Sequence, residues 1–138
     1  PQVVVNGTTE FVGSNEIALS NAIANNTNNR TVSNLHITAK NKNQAALVKY
    51  DIIGNETMLL NTTVVLPEAD TEVKRGENGG KTLHHVNIVT RLKVTEVKGS
   101  GEMTIEIPVQ LSGKPIKIIA YTQSKQSLKV LGAGEVTL

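Results

Sequence analysis

The residues best suited to chemistry lie in one glycine-rich segment, Arg75-Gly76-Glu77-Asn78-Gly79-Gly80-Lys81-Thr82-Leu83. Its Gly80-Lys81-Thr82 run is typical of phosphate-binding loops, in which backbone N–H groups and a lysine hold the phosphates. The spacing contradicts that interpretation, because Gly76 lies one residue too close and Leu83–Val97 alternates like a strand instead of opening a helix. A hairpin connection explains the glycines better, since glycine tolerates positive φ.

Three side chains of this loop are candidates for binding. Arg75 could hold an anion, and Glu77 could hold a cation or a backbone N–H group. Alternatively, Arg75 and Glu77 form an ion pair with each other, or Asn78 stabilises the turn. The residues alone leave both interpretations open.

The histidines do not predict a metal site. Because neighbouring residues of a strand point to opposite faces, His84 and His85 cannot share one metal ion unless a bulge intervenes. His84 shares its parity with Leu92 and Val94, which predicts a buried position, whereas His85 is expected to face solvent. His36 falls on the polar face of another predicted strand. With no cysteine and no spaced carboxylate–histidine set, we predict neither a metal nor a cofactor.

Composition excludes several classes of function. The 138 residues contain no cysteine, so no thiol nucleophile or disulfide can operate within this sequence. The net charge is only +2, and one Phe, two Tyr and no Trp leave few aromatic rings on which bases could stack. Both observations argue against nucleic-acid binding. No run approaches the roughly 20 apolar residues of a membrane helix. No serine sits in a nucleophile elbow, so we predict no catalytic residue here.

The elements that would position these residues begin with a hairpin and a helix. Val3–Val5, an Asn6-Gly7 pair and Phe11-Val12 predict a hairpin with a type I′ turn. Ser14 is the expected helix cap, and the helix is predicted over Asn15–Asn25. The polar tract that follows, residues 25–29, is expected to end the helix and act as a linker.

Beyond the tract the hydrophobic period changes to two, which indicates strands. The predicted strand Met58–Leu66 is expected to end at Pro67, because proline cannot donate a hydrogen bond within a sheet. Seven or eight strands at short spacing, without a second amphipathic helix, favour an antiparallel sandwich. The predicted strands lie within Leu35–Ala39, Ala46–Ile52, Met58–Leu66, Leu83–Val97, Met103–Leu111, Ile116–Ala120 and Leu128–Leu138.

Separated motifs resemble one secreted bacterial family, catalogued as domain of unknown function 1223. The motifs are Pro1–Gly7, Val12–Ser14, Arg75–Asn78 with Thr82-Leu83, and Val130–Ala133. The resemblance implies an α+β, mostly β fold: residues 1–28 as a β-hairpin plus helix from the second half of a thioredoxin-like domain, then residues 29–138 as an antiparallel β-sandwich. It also implies a periplasmic or secreted location.

The resemblance further implies a Cys-x-x-Cys in the first half of such a domain, and a cis-proline at the substrate edge. Pro1 occupies the place of that proline, and the cysteine-bearing half is expected upstream of this sequence. Two hypotheses remain open: a part of a thiol–disulfide redox protein, or a non-catalytic β-sandwich that binds a partner.

A hairpin and helix stripped of further strands would leave an apolar face uncovered. We therefore expect the side chains of this face to stay partly exposed, or to be covered by an upstream half of the same protein or by a neighbouring chain. These side chains are Val3, Val5, Phe11, Leu19 and Ile23.

Overall fold

The computed structural model describes residues 2–28, 34–54 and 56–138. In these ranges the chain forms nine strands, one α-helix and a short 3₁₀ helix, Val109–Leu111. The strands and the helix are β1 (Gln2–Val5), β2 (Thr9–Val12), α1 (Glu16–Asn28), β3 (Leu35–Lys42), β4 (Ala45–Ile52), β5 (Met58–Glu72), β6 (Thr82–Val97), β7 (Gly101–Glu106), β8 (Lys117–Ser124) and β9 (Val130–Thr137).

Two antiparallel sheets enclose the core. One has the strand order β3-β4-β7, and the other has the order β6-β5-β8-β9. Alternate residues of each strand point between the sheets, as the period of two predicts, and they bury an almost wholly aliphatic cluster. Its members are Leu35, Ile37, Ala46, Val48, Ile52, Met58, Leu60, Val64, Val97, Ile105, Leu111, Ile116, Ile118 and Ala120.

The sheets approach each other most closely where β9 lies against β3. Gly132 permits this approach, since a Cβ there would lie 2.9 Å from the backbone nitrogen of Asn34. The fully buried Thr122 donates its hydroxyl proton to Asn34 Oδ1 at 3.0 Å, and the Asn34 amide contacts the sulfur of Met58 at 3.6 Å. A satisfied polar contact therefore fixes this side of the sandwich.

At the opposite side the gap between β6 and β7 is bridged by long side chains. Lys93 Nζ donates to the Thr104 carbonyl at 2.9 Å, and Arg91 Nη2 lies 3.5 Å from Glu106 Oε2. The two edge strands β6 and β7 are not paired with each other, so side chains make these contacts between the sheets.

The turn of the N-terminal hairpin is as predicted, whereas the cap of the helix that follows is not. Asn6 and Gly7 both have positive φ, 50° and 76°, as a type I′ turn requires. Helix α1 packs on the hairpin, and Asn15, not Ser14, caps it: the Asn15 side chain accepts from the Ala18 amide at 3.0 Å.

The turn of this hairpin is also its attachment to the sandwich. The Asn6 carbonyl accepts a hydrogen bond from the Val130 amide at 3.0 Å, and Gly7 sits directly against the Leu128 carbonyl. A side chain at position 7 would collide with that backbone oxygen. The glycine thus serves both the turn and the docking contact.

The predicted fold class is wrong. The described residues are mostly strand, with one α-helix, and β1 and β2 form a two-stranded sheet by themselves that no further strand of these residues joins. A thioredoxin-like half is therefore not what the hairpin and helix form. The physical reason is that a hairpin signal is local, whereas domain membership depends on strand pairings that these residues do not make. The β-rich part of the prediction fits.

Three predicted boundaries are also wrong. Helix α1 continues to Asn28 through most of the polar tract, in which Thr27 and Asn26 bond back to carbonyls four residues earlier. Strand β5 runs past Pro67 to Glu72, because only one side of the strand is paired there. Strand β7 ends before Pro108, and the 3₁₀ helix follows.

The expected exposure of the hairpin–helix face is confirmed. Val3, Val5, Phe11 and Leu19 are half-buried, and Ile23 is 52% exposed. That an upstream half of the same protein or a neighbouring chain covers this face stays a prediction.

Candidate functional site

The hairpin of β5 and β6 extends beyond the sandwich and carries most of the candidate residues. Strand β8 pairs with β5 only from Met58 to Val65, whereas β5 continues to Glu72 and β6 pairs with it over the whole length. Residues 66–88, called the arm below, thus form a two-stranded projection with one free edge on each side.

The tip of the arm is the glycine-rich loop, and it is a hairpin connection as predicted. Val73 donates its amide to the Lys81 carbonyl at 2.9 Å, and Gly80 donates to the Val73 carbonyl at 2.8 Å. Gly76 and Gly80 have φ of 86° and 80°, which explains both glycines. No helix follows Thr82, so the loop lacks the helix N-terminus on which a phosphate-binding loop depends.

The three predicted loop residues are all exposed at this tip. Arg75 and Glu77 make no ion pair with each other in the part of the chain that the structure describes. Asn78 instead holds the turn, because its carbonyl accepts from the Lys81 amide at 3.0 Å and its Oδ1 from Lys81 Nζ at 3.3 Å. Arg75 and Glu77 are thus presented to solvent.

His84 lies nearby on the arm, in a cluster of charged side chains that the residue pattern did not predict. Its Nδ1 lies 2.7 Å from Asp70 Oδ1, and its Nε2 lies 3.8 Å from Glu68 Oε2. The side chain is 57% exposed, so the predicted burial of His84 is wrong. His85 and His36 are exposed, as predicted.

A β-bulge separates His84 from the parity of Leu92 and Val94, whereas its exposure has another cause, the projection of the arm. Arg91 pairs with Val64 and Val89 with Val65, so Thr90 is an extra residue that shifts the register by one. His84 therefore lies on the face opposite to Leu92, directly across from Asp70. That face would continue the core, but the arm has left the sandwich. The sequence does contain a sign of this contact. Acidic residues alternate along β5 before the turn, and His84 follows the turn at the position that pairs with Asp70.

The carboxylates determine the charge of His84. The hydrogen bond to Asp70 raises the pKa of His84 above its ordinary value of 6.5, and the charges of Asp70 and Glu68 act in the same direction, while desolvation opposes them. His84 is therefore an imidazolium over a wider pH range than a free histidine. The arm thus carries a His84 imidazolium between the carboxylates of Asp70 and Glu68. This cluster can keep the imidazole protonated, or its charges can contact a charged partner.

Replacement of Asp70 by Asn is expected to lower the pKa of His84 toward 6.5, because the hydrogen-bonded carboxylate is lost. The pKa of His84 is higher in the folded chain than in the unfolded chain. The His84–Asp70 pair therefore contributes its full stabilisation at pH values below the unfolded pKa. This contribution is lost as the pH rises through the folded pKa. An NMR titration of the His84 ring protons measures the pKa, and the contribution to stability follows from the difference between the folded and unfolded pKa values.

Glu72→Gln is the matched control. Glu72 lies on the same strand and face as Asp70, but it is not in contact with His84 and faces Thr82 instead. It should leave the His84 titration nearly unchanged. Equal curves for Asp70→Asn and the wild type would show that the hydrogen bond is not the cause.

Outside the arm, a cavity of about 330 Å³ opens at the end of the sandwich beside the β3–β4 turn. Its lining includes Asn41, Ile107, Leu111, Lys114 and Ile116.

Among the described residues, no group of three or more His, Cys, Asp or Glu side chains is arranged to hold a metal ion. Within the same ranges, the chain has no helix with the length and apolarity to span a bilayer. Pro1, the expected substrate-edge residue, lies outside the described residues.

One solved structure has a similar fold, a crystal structure of an Agrobacterium tumefaciens protein determined as a structural-genomics target. The similarity has a TM-score of 0.59 at 15% sequence identity, which concerns the fold alone. It covers 99% of this chain but 60% of the other, so the chain spans about three fifths of that protein's length. No curated protein matches the sequence.

The sequence profile of one family matches residues 1–123, most of the chain. The match includes the hairpin motif and the arm, whereas the motif Val130–Ala133 lies beyond its end. The chain therefore belongs to the family described as protein of unknown function DUF1223.

Proposed function

We propose that this chain is a non-catalytic binding module that holds a partner protein through the arm. The observation that carries the proposal is the length of β5 and β6, of 15 and 16 residues, against the eight residues of β8 beside them. A projecting hairpin buries little of its own apolar surface, and its charged tip is freely accessible. Such exposed loops on a rigid scaffold are common binding sites.

The chemistry of the arm suits a partner with charges of both signs. Arg75 at the tip offers a planar, bidentate donor for a carboxylate, and Glu77 accepts from cations or amides. Neither side chain is committed to an ion pair in the described residues. The pair of His84 with Asp70 adds a third polar feature along the shaft.

The test is a pull-down with the purified chain as bait, using the double variant Arg75→Gln/Glu77→Gln. We expect the captured partner to fall about tenfold, since loss of one good charge-assisted contact corresponds to about that factor. The control is Lys98→Gln/Glu102→Gln, which removes the same two charges from exposed positions elsewhere. Partners that remain unchanged in the first variant, or fall equally in both, would remove the arm from the proposal.

The redox hypothesis stays a prediction. Disulfide exchange needs a thiolate, and the 138 residues hold no cysteine, so the sulfur would have to belong to residues outside this sequence. No contact described above favours it over binding. The exported location and the division between residues 28 and 29 are likewise proposals that rest on the family resemblance.

A further inference from the structure

Strand β6 forms a free edge of the four-stranded sheet. It pairs with β5 on one side, and no strand of the described residues pairs with its other side. At 16 residues it is the longest strand that ends a sheet here. An edge strand exposes unpaired N–H and C=O groups that can pair with another extended chain.

The side chains of this edge sort into two faces. Leu92 and Val94 point away from the core and are 53% and 51% exposed, and Val89 continues the same apolar face past the bulge. Arg91 and Lys93 alternate with them and point toward the side of β7. The segment Arg91–Thr95 is regular, since the register shift lies just before it.

The two basic groups are available to a new partner. Lys93 donates to the Thr104 carbonyl, and Arg91 lies near Glu106 in an ion pair whose side chains are 48% and 80% exposed. An exposed ion pair such as that of Arg91 contributes little to stability, and the hydrogen bond of Lys93 is also exposed, so both cations can exchange partners at small cost. Directly opposite residues of an antiparallel pair share a face. An added strand would therefore meet apolar side chains on one face and two cations on the other.

A second copy of this chain does not suit the edge. Pairing two β6 strands about a twofold axis would bring Arg91 and Lys93 of both copies onto one face of a joint sheet, where like charges repel. The other free edge of the arm, along β5, is guarded by Pro67 and by Glu68, Asp70 and Glu72. The charges of β6 instead match an acidic strand.

We infer that the edge of β6 at Arg91–Thr95 binds, by strand addition, an extended segment of another protein in which acidic and apolar residues alternate. The acidic residues meet Arg91 and Lys93, and the apolar residues extend the surface of Leu92 and Val94. The inference goes beyond the proposed function, because this edge lies outside the arm and does not need the tip.

The test uses a synthetic peptide that alternates glutamate with valine, blocked at both ends, and the whole chain labelled with ¹⁵N. Peptide binding should slow amide exchange at alternate residues of 91–95, the pattern of a newly paired edge. It should weaken as salt rises, because surface charges are screened. A peptide with lysine in place of glutamate, and one N-methylated along its pairing edge, should bind at least about tenfold more weakly.

Arg91→Gln/Lys93→Gln should weaken binding of the glutamate peptide about tenfold, and Arg91→Glu/Lys93→Glu should reverse the preference toward the lysine peptide. The matched control, Lys40→Gln/Lys42→Gln, removes two exposed cations from β3 and should change nothing. The tip variant Arg75→Gln/Glu77→Gln should also bind the peptide normally, which separates this inference from the proposed function.

Three outcomes would overturn the inference. The first is no protection of β6 at low salt with millimolar peptide. The second is equal binding of the N-methylated peptide, which would mean that backbone pairing is not involved. The third is protection of β6 that grows with protein concentration in the absence of peptide, which would identify a second copy as the occupant.

Discussion

Truncation of Leu60 to alanine is expected to lower the free energy of unfolding by about 2 to 5 kcal/mol. Leu60 is 0% exposed and lies on β5, which pairs with both β6 and β8. The loss combines the transfer free energy of the removed methyl groups with a cavity that a strand held on both sides cannot close. Because a domain is stable by only about 5 to 15 kcal/mol, much of the total would be lost.

Urea denaturation followed by circular dichroism measures this effect, with Leu59→Ala as the control. Leu59 is the preceding residue on the same strand, but its side chain lies on the outer face and is only half-buried. We expect a loss less than half as large for Leu59→Ala. Equal losses would mean that the core does not lie between the two sheets as described.

Substitution of Gly132 by alanine is expected to destabilise the chain by about 1 to 3 kcal/mol, the usual cost of forcing extra volume into a packed interior. The new Cβ would lie 2.9 Å from the Asn34 nitrogen and 3.1 Å from the Leu35 nitrogen. These are backbone atoms of β3 and its lead-in, which cannot rotate away. Strand β9 would have to move off β3, and the hydrogen bond from Thr122 to Asn34 would be strained.

Gly134→Ala separates this collision from the general effect of filling a strand glycine. Gly134 lies two residues further on the same strand and face, but its Cβ would meet a side-chain carbon of Ile37 at 3.2 Å, which can shift slightly. Alanine is also favoured over glycine in a strand by roughly 0.5 to 1 kcal/mol. We expect a small change of either sign. A loss as large as that of Gly132→Ala, by thermal or urea unfolding, would contradict the backbone explanation.

Much of the local structure was predictable from residue patterns. The Asn6-Gly7 pair determined a type I′ hairpin turn, since both positions need positive φ and those residues tolerate it. Alternation placed β3, β4, β6 and β8 and most of the aliphatic core. It worked because the faces of a strand repeat every two residues irrespective of distant contacts.

The candidate site was only partly predictable. Composition and spacing placed Arg75 and Glu77 in an exposed turn, and that placement depends on glycine geometry alone. The contact of His84 with Asp70 follows from the register of the hairpin at its turn, whereas the bulge at Thr90, which no local pattern marks, sets the face of His84 relative to Leu92. His84 is exposed because the arm leaves the sandwich, so the face that it shares with the core residues of β5 is uncovered there.

Residue patterns were enough to place the turn at Asn6-Gly7 and the glycine-rich turn of the arm, to show the period of two, and to exclude thiol chemistry within these residues. The pairing and packing of the strands were needed to see that β5 passes Pro67 into a projecting arm, that the first hairpin stays a separate sheet, and that Gly132 lets the two sheets approach. The difference arises because some features depend only on residues close in sequence and others on contacts between distant segments. Turn and strand preferences are properties of neighbouring residues, whereas edges, bulges and close approaches depend on which distant strand lies alongside.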